Sequence, residues 1–268
     1  MKNKAILEHP ALLRKGIFSL REASQVTGLS TEKLGAALAY SVRRGKLIRI
    51  KKGLFCILPA GIPDSQKGYP FNGYLIVKAL AGKIPYFISH YSAMHLHGMT
   101  GESIQTIFIS TAKQLRLPPG IRISARFLTC PEKRIWGLEE KWVTHEEKIW
   151  VSDLERTLLD ILDRPDLSGG MMEIVRGLWL IRTALKLPKL MKYARRYDSA
   201  AVLKRLGFLM EFLSLGKKEE IERIQKWVQA SPSYALLDPT LEPAGSYKHA
   251  WRLRLNCDPG KFKQNLMT

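Results

Sequence analysis

Residues 18–58 read FSLREASQVTGLSTEKLGAALAYSVRRGKLIRIKKGLFCIL. Ser19 and Glu22 have the spacing of a capping box, in which each satisfies a backbone N–H at a helix start. Leu20, Ala23, Ser24 and Thr27 then form the small inner face of a short helix, and Gly28 ends it. Ser30 is suited to N-cap a second helix, with Leu29 and Leu34 placed as a hydrophobic staple. The order is helix, tight turn, helix.

On the second helix Leu34, Ala37, Leu38, Ser41, Val42 and Gly45 share one face, while Lys33, Ala36, Ala39, Tyr40 and Arg43 share the other. Small residues at 35, 36 and 39 let a helix backbone approach base edges, with longer polar side chains around them. Leu47 to Ile57 reads as two strands around a basic turn at Lys51, Lys52 and Gly53, which is the wing of a winged helix. The expected DNA contacts are Thr31, Lys33, Tyr40, Arg43, Arg44, Arg49, Lys51 and Lys52. Residues 1–58 hold twelve Lys or Arg against three Glu, so they supply +9 of a formal net charge of +19. An excess of that size points to a polyanionic partner.

The 268 residues exceed a usual single domain. The expected organisation is a winged helix-turn-helix over 1–58, a Pro- and Gly-rich linker over 59–73, and a larger mixed α/β domain over 74–268. No apolar run reaches the roughly 18 residues of a membrane span, and the first residues lack a signal-peptide core, so a cytoplasmic protein is expected. Cys56, Cys130 and Cys257 are odd in number and far apart, which excludes a disulfide framework and a paired-cysteine zinc site.

In the larger segment, periodicity predicts a helix near 74–81, strands at 104–111 and 123–129 on either side of a Pro118-Pro119-Gly120 turn, and helices near 152–164, 171–185, 199–214 and 217–229. A closing strand is expected at 251–256. The segment VSDLERTLLDILDRPDLSGG (151–170) is an acidic island in a basic chain. Ser152 and Glu155 suggest a capping box, and Leu154, Leu158, Ile161 and Leu162 form an apolar stripe. Asp153, Arg156, Asp160 and Arg164 are spaced as an exposed ladder of alternating charge. A second basic face is expected at Lys186, Lys189, Lys192, Arg195, Arg196, Lys204 and Arg205, where Asp198 is the one acid.

No catalytic constellation stands out, and no enzyme activity, metal or cofactor is expected. His90, His95 and His97 cluster without an acidic or cysteine ligand nearby. Ser92 and His95 lack an orienting acid. Glu139-Glu140-Lys141 and Glu146-Glu147-Lys148 each hold half of a nuclease-type metal site, but no Asp lies between Asp64 and Asp153 to complete it. Phosphate-loop and dinucleotide glycine patterns are missing.

The segments FISHYSAMHLHGMT (87–100), VSDLERTLLDILDRPDLSGG (151–170), LKRLGFLMEF (203–212), YALLDPTLEPAG (234–245) and WRLRLN (251–256), behind the winged helix, resemble the AbiEi family of bacterial antitoxins. The resemblance implies a type IV toxin–antitoxin system in phage defence, with repression of its own operon at inverted repeats in duplex promoter DNA. It also implies neutralisation of a cognate AbiEii-type nucleotidyltransferase toxin through the C-terminal domain, without a stable complex. The alternatives are an ordinary winged-helix repressor whose larger domain senses a ligand, and a nucleic-acid enzyme.

Overall fold

The computed structural model describes residues 9–58, 72–119, 121 and 123–267. The chain is a mixed α and β protein that forms two compact units. The first is Met1–Tyr86 with Ile109–Ile135 and Glu140–Ile149; the second is Phe87–Phe108 with Trp136–Glu139 and Trp150–Thr268.

The first unit begins with α1 (Pro10–Lys15), β1 (Ile17–Ser19), α2 (Leu20–Thr27), α3 (Thr31–Arg43), β2 (Leu47–Lys51) and β3 (Leu54–Ile57). The capping box at Ser19 and Glu22 forms as expected, and Gly28 closes α2 in the left-handed conformation at φ 67°. Ser30 stands at the N-cap of α3 but makes no side-chain cap hydrogen bond. β1, which is too short to show a period in sequence, pairs antiparallel with β3 and completes a three-stranded sheet in the order β1-β3-β2. Leu12, Phe18, Ala23, Leu34, Leu38, Leu47, Phe55 and Ile57 form the core of this winged helix. Gly53, at φ 74°, makes the wing turn without the strain a Cβ would bring.

The compact unit does not stop at the expected boundary near residue 74. α4 (Gly73–Ala81) packs against β1 and β2, and the Lys51 ammonium donates to the Leu80 carbonyl at 3.1 Å. Asn72 donates to the Val143 carbonyl, and Lys78 reaches the Glu147 carboxylate and the Lys148 carbonyl. Most of the expected linker, residues 59–71, lies outside the described residues, as does Gly120 of the expected turn.

β4 (Tyr86–Ile88), β5 (Thr106–Thr111), β6 (Ser124–Thr129), β7 (Leu138–Trp142) and β8 (Lys148–Ser152) make a five-stranded sheet in the order β6-β5-β4-β8-β7. β4 and β8 run parallel, with Ile88 opposite Val151. α5 (His90–Leu96) follows β4.

The second unit is mainly helical: α6 (Leu154–Asp163), α7 (Gly170–Ile181), α8 (Leu187–Tyr197), α9 (Ala200–Phe212), α10 (Lys218–Gln229) and α11 (Pro259–Met267). A small sheet of β9 (Ala235–Leu236), β10 (Ser246–Lys248) and β11 (Leu253–Leu255) lies between α10 and α11 in sequence. Leu158, Leu162, Ile174, Leu178, Leu206, Leu209 and Trp251 belong to its core. Gly207 brings α9 onto Trp251 so closely that an added Cβ would stand 2.0 Å from the indole.

Two expectations about the acidic island are corrected. The N-cap of α6 is Asp153, whose carboxylate accepts from the Arg156 backbone N–H at 2.9 Å. Ser152 ends β8, and its hydroxyl lies 2.7 Å from that of Thr157. The charged face of α6 is not exposed: Glu155, Arg156 and Asp160 are 2%, 3% and 3% accessible. α8 is the cause, because Tyr193 and Tyr197 donate to Asp153 and Asp160, and Lys189 pairs with Asp153 and Glu155.

Candidate nucleic-acid interface

α3 turns Leu34, Leu38 and Ser41 inward and leaves Thr31, Lys33, Ala36, Ala39, Tyr40 and Arg43 exposed. A Cβ at Gly35 would meet no atom within 4 Å. The exposed helix surface is therefore a low step of Gly35, Ala36 and Ala39, with Lys33, Tyr40 and Arg43 as the longer side chains. A surface of this shape admits the edge of a base pair, and its longer side chains supply donors to bases or phosphates.

Tyr40 and Arg44 act together. Arg44 Nε donates to the Tyr40 hydroxyl at 3.0 Å, and its guanidinium lies 5.5 Å from the ring centroid. That hydrogen bond and the guanidinium charge lower the pKa of the Tyr40 hydroxyl. Tyr40 remains 43% exposed, so Arg44 fixes the direction of a ring that faces solvent.

In the wing, Arg49 and Lys52 are exposed, and the register shifts between Arg49 and Lys51. Lys51 behaves differently from its neighbours. Its ammonium satisfies a carbonyl at the end of α4, where cations favour the helix dipole. Lys51 is exposed too, and this bond favours a packing role for it beside the expected phosphate contact. Lys46, exposed at the turn between α3 and β2, was missed, although the run Arg43-Arg44-Gly45-Lys46 marks it.

The second basic face also changes membership. Lys204 and Arg205 are only 1% and 5% accessible. Lys204 donates to the Ser231 hydroxyl and Ser233 carbonyl, and burial lowers its pKa. Arg205 donates to the carbonyls of Leu162 and Leu236. Lys204 ties α9 to the loop after α10, Arg205 ties it to α6 and β9, and neither side chain faces solvent. Lys189 is committed to Asp153 and Glu155, while Lys186 is exposed at the N-cap of α8. Lys192, Arg195 and Arg196 remain, and Arg223 of α10 joins them in one cleft with Trp227. Arg223 lies too far along the chain to be grouped with them by local spacing.

The histidines do not converge. His90 is buried against the Ser89 hydroxyl, His95 is exposed, and His97 bonds the Ser152 carbonyl. The Ser92 hydroxyl is used by the backbone of Thr106 and Phe108. In the two Glu-Lys segments, Glu140 pairs with Lys148 and Glu147 with Lys78. Among the described residues, no group of three or more His, Cys, Asp or Glu is arranged to hold a metal ion. No described helix is long and apolar enough to cross a membrane.

Residues 10–58 match the family model described as "Transcriptional regulator, AbiEi antitoxin". The resemblance read from the sequence is thus borne out over the winged helix, and the C-terminal motifs lie outside the matched residues. No curated protein matches the chain. Among solved structures, the chain is similar to the RV2827C protein from Mycobacterium tuberculosis, at 14% identity and a TM-score of 0.68, over 99% of this chain and 94% of that one. At that identity the likeness is one of fold.

Proposed function

We propose that the protein is an autorepressing antitoxin. The winged helix binds duplex promoter DNA at inverted repeats, with α3 in the major groove and the wing on the backbone. The rest of the chain neutralises a cognate nucleotidyltransferase toxin in the cytoplasm, and the protein itself is not an enzyme. The observation that carries the reading is the agreement between the family match over residues 10–58 and the exposed α3 surface, where Gly35, Ala36 and Ala39 lie between Lys33, Tyr40 and Arg43.

Lys33 and Tyr40 sit where base edges belong, whereas Arg49 and Lys52 sit where phosphates belong. Fluorescence anisotropy with the protein's own promoter and a scrambled duplex of equal length tests the assignment. Lys33→Ala and Tyr40→Ala are expected to weaken promoter binding by about 1–3 kcal/mol each while changing scrambled-duplex binding little. Equal losses on both duplexes would reject base reading by α3.

A further inference from the structure

A cleft between α8 and α10 gathers four exposed cations, Lys192, Arg195, Arg196 and Arg223. Pro188, Met191, Lys192, Arg195 and Arg196 line it from α8, and Glu220, Arg223 and Trp227 from α10, around a volume of about 790 Å³. These positions recur at three- and four-residue spacing on each helix, so each contributes one continuous face. Lys192, Arg195, Arg196 and Arg223 make no ion pair among the described residues. Nearby cations are treated otherwise: Lys189 is paired with two carboxylates, Lys218 with Glu222, and Lys204 and Arg205 are buried on hydroxyls and carbonyls. Four like charges around one concavity repel one another and gain from a shared anion.

The cleft has two distinct ends. Gly216 lies against both Glu220 and Leu187, which places the first turns of α8 and α10 together. At the other end the Arg195 guanidinium lies 5.9 Å from the Trp227 ring centroid, and Arg196 lies 4.3 Å from that of Trp136. Glu220 and Trp227 are seven residues apart on α10, or about 10 Å at 1.5 Å per residue. A phosphate chain fits the cations between them. The carboxylate of Glu220 opposes a phosphodiester backbone that continues past that end, and the indole offers a surface to a heterocyclic ring. The volume is that of a small-molecule site, for which about 300–1,000 Å³ is usual.

We propose that this cleft binds a nucleoside polyphosphate, with Lys192, Arg195, Arg196 and Arg223 on the phosphates and Trp227 beside the base. The site goes beyond the antitoxin reading and stands whether or not that reading survives. It would give the chain a small-molecule input separate from the DNA surface.

Isothermal titration calorimetry of the full chain tests this, with ATP, inorganic tripolyphosphate and a single-stranded 12-mer as probes. ATP binds, and the exposed double substitution Arg195→Gln, Arg223→Gln weakens it by about tenfold or more, as loss of two of the four phosphate-facing cations requires. The same variant keeps its circular dichroism spectrum and its promoter affinity. The double substitution Arg49→Ala, Lys52→Ala in the wing leaves ATP binding unchanged, which separates the cleft from the DNA surface. Trp227→Leu weakens ATP and spares tripolyphosphate. The proposal is overturned if Arg195→Gln, Arg223→Gln binds ATP as wild type does, or if Trp227→Leu affects ATP and tripolyphosphate alike. It also fails if the 12-mer displaces ATP and binds tighter with the same arginine dependence, because the cleft would then be a nucleic-acid groove.

Discussion

The Arg156 guanidinium is buried with its Nε 2.8 Å from Asp160, and its Cζ lies 4.3 Å from the Trp136 ring centroid and 5.1 Å from that of Tyr197. Removing one partner of such a buried pair costs far more than at an exposed pair. Asp160→Asn preserves the shape and is expected to lower unfolding free energy by about 3 kcal/mol in urea titrations. A loss below about 1 kcal/mol would return the residue to the exposed class. His90 adds a pH dependence. It sits at φ 51° with its Nδ1 2.9 Å from the Ser89 hydroxyl. Burial holds its pKa below the ordinary 6.5, with Arg164 acting the same way and Asp160, Asp163 and Asp166 opposing. The unfolded chain therefore takes up this proton at a higher pH than the folded one. The contribution of His90 is fully present above about pH 6.5 and is lost as the pH falls through the lower folded value. Thermal melts of wild type should decline over that window, and His90→Asn should flatten the decline; parallel curves for the two proteins would contradict it.

At the scale of elements, the wing separates charges that sequence treats alike. Arg49→Ala and Lys52→Ala should each reduce the salt slope of log affinity for DNA by about 0.9. Lys51→Ala should leave the slope unchanged and lower the melting temperature, because Lys51 holds the Leu80 carbonyl. A reduced slope for Lys51→Ala, from the same anisotropy titrations in salt, would support its phosphate contact. α2, α3 and the hairpin were legible because their signals are local: a capping box, a left-handed glycine, inward leucines and a glycine turn. β1 is three residues long and exists through its pairing with β3, so no periodicity marks it. α8 was read as a basic run because its four lysines and arginines are interleaved with Leu190, Met191, Ala194 and Tyr197, the four residues it buries. The face of α6 was misread for the complementary reason. Charges at i and i+4 look the same in sequence whether water or a neighbouring helix covers them, and only the packing of α8 decides. The basic cleft needed two helices to form, and only its α8 half was visible.

For the molecule as a whole, the winged helix has its own core, yet its compact unit also takes in chain from residues 72–86, 109–135 and 140–149. A deletion ending at residue 58 would remove the partner surface of α4, so point substitutions on α3 separate the proposed repression from the proposed neutralisation more cleanly than truncation. Lys33 and Tyr40 are exposed and Tyr40 pairs only locally with Arg44, so replacing them leaves the fold intact. The decisive measurement is growth of cells that produce the proposed cognate nucleotidyltransferase toxin from an unrelated promoter, together with a reporter driven by the protein's own promoter. Wild type is expected to restore growth and silence the reporter, and Lys33→Ala, Tyr40→Ala to restore growth equally while leaving the reporter active. Failure of the folded wild-type protein to restore growth would contradict the antitoxin account.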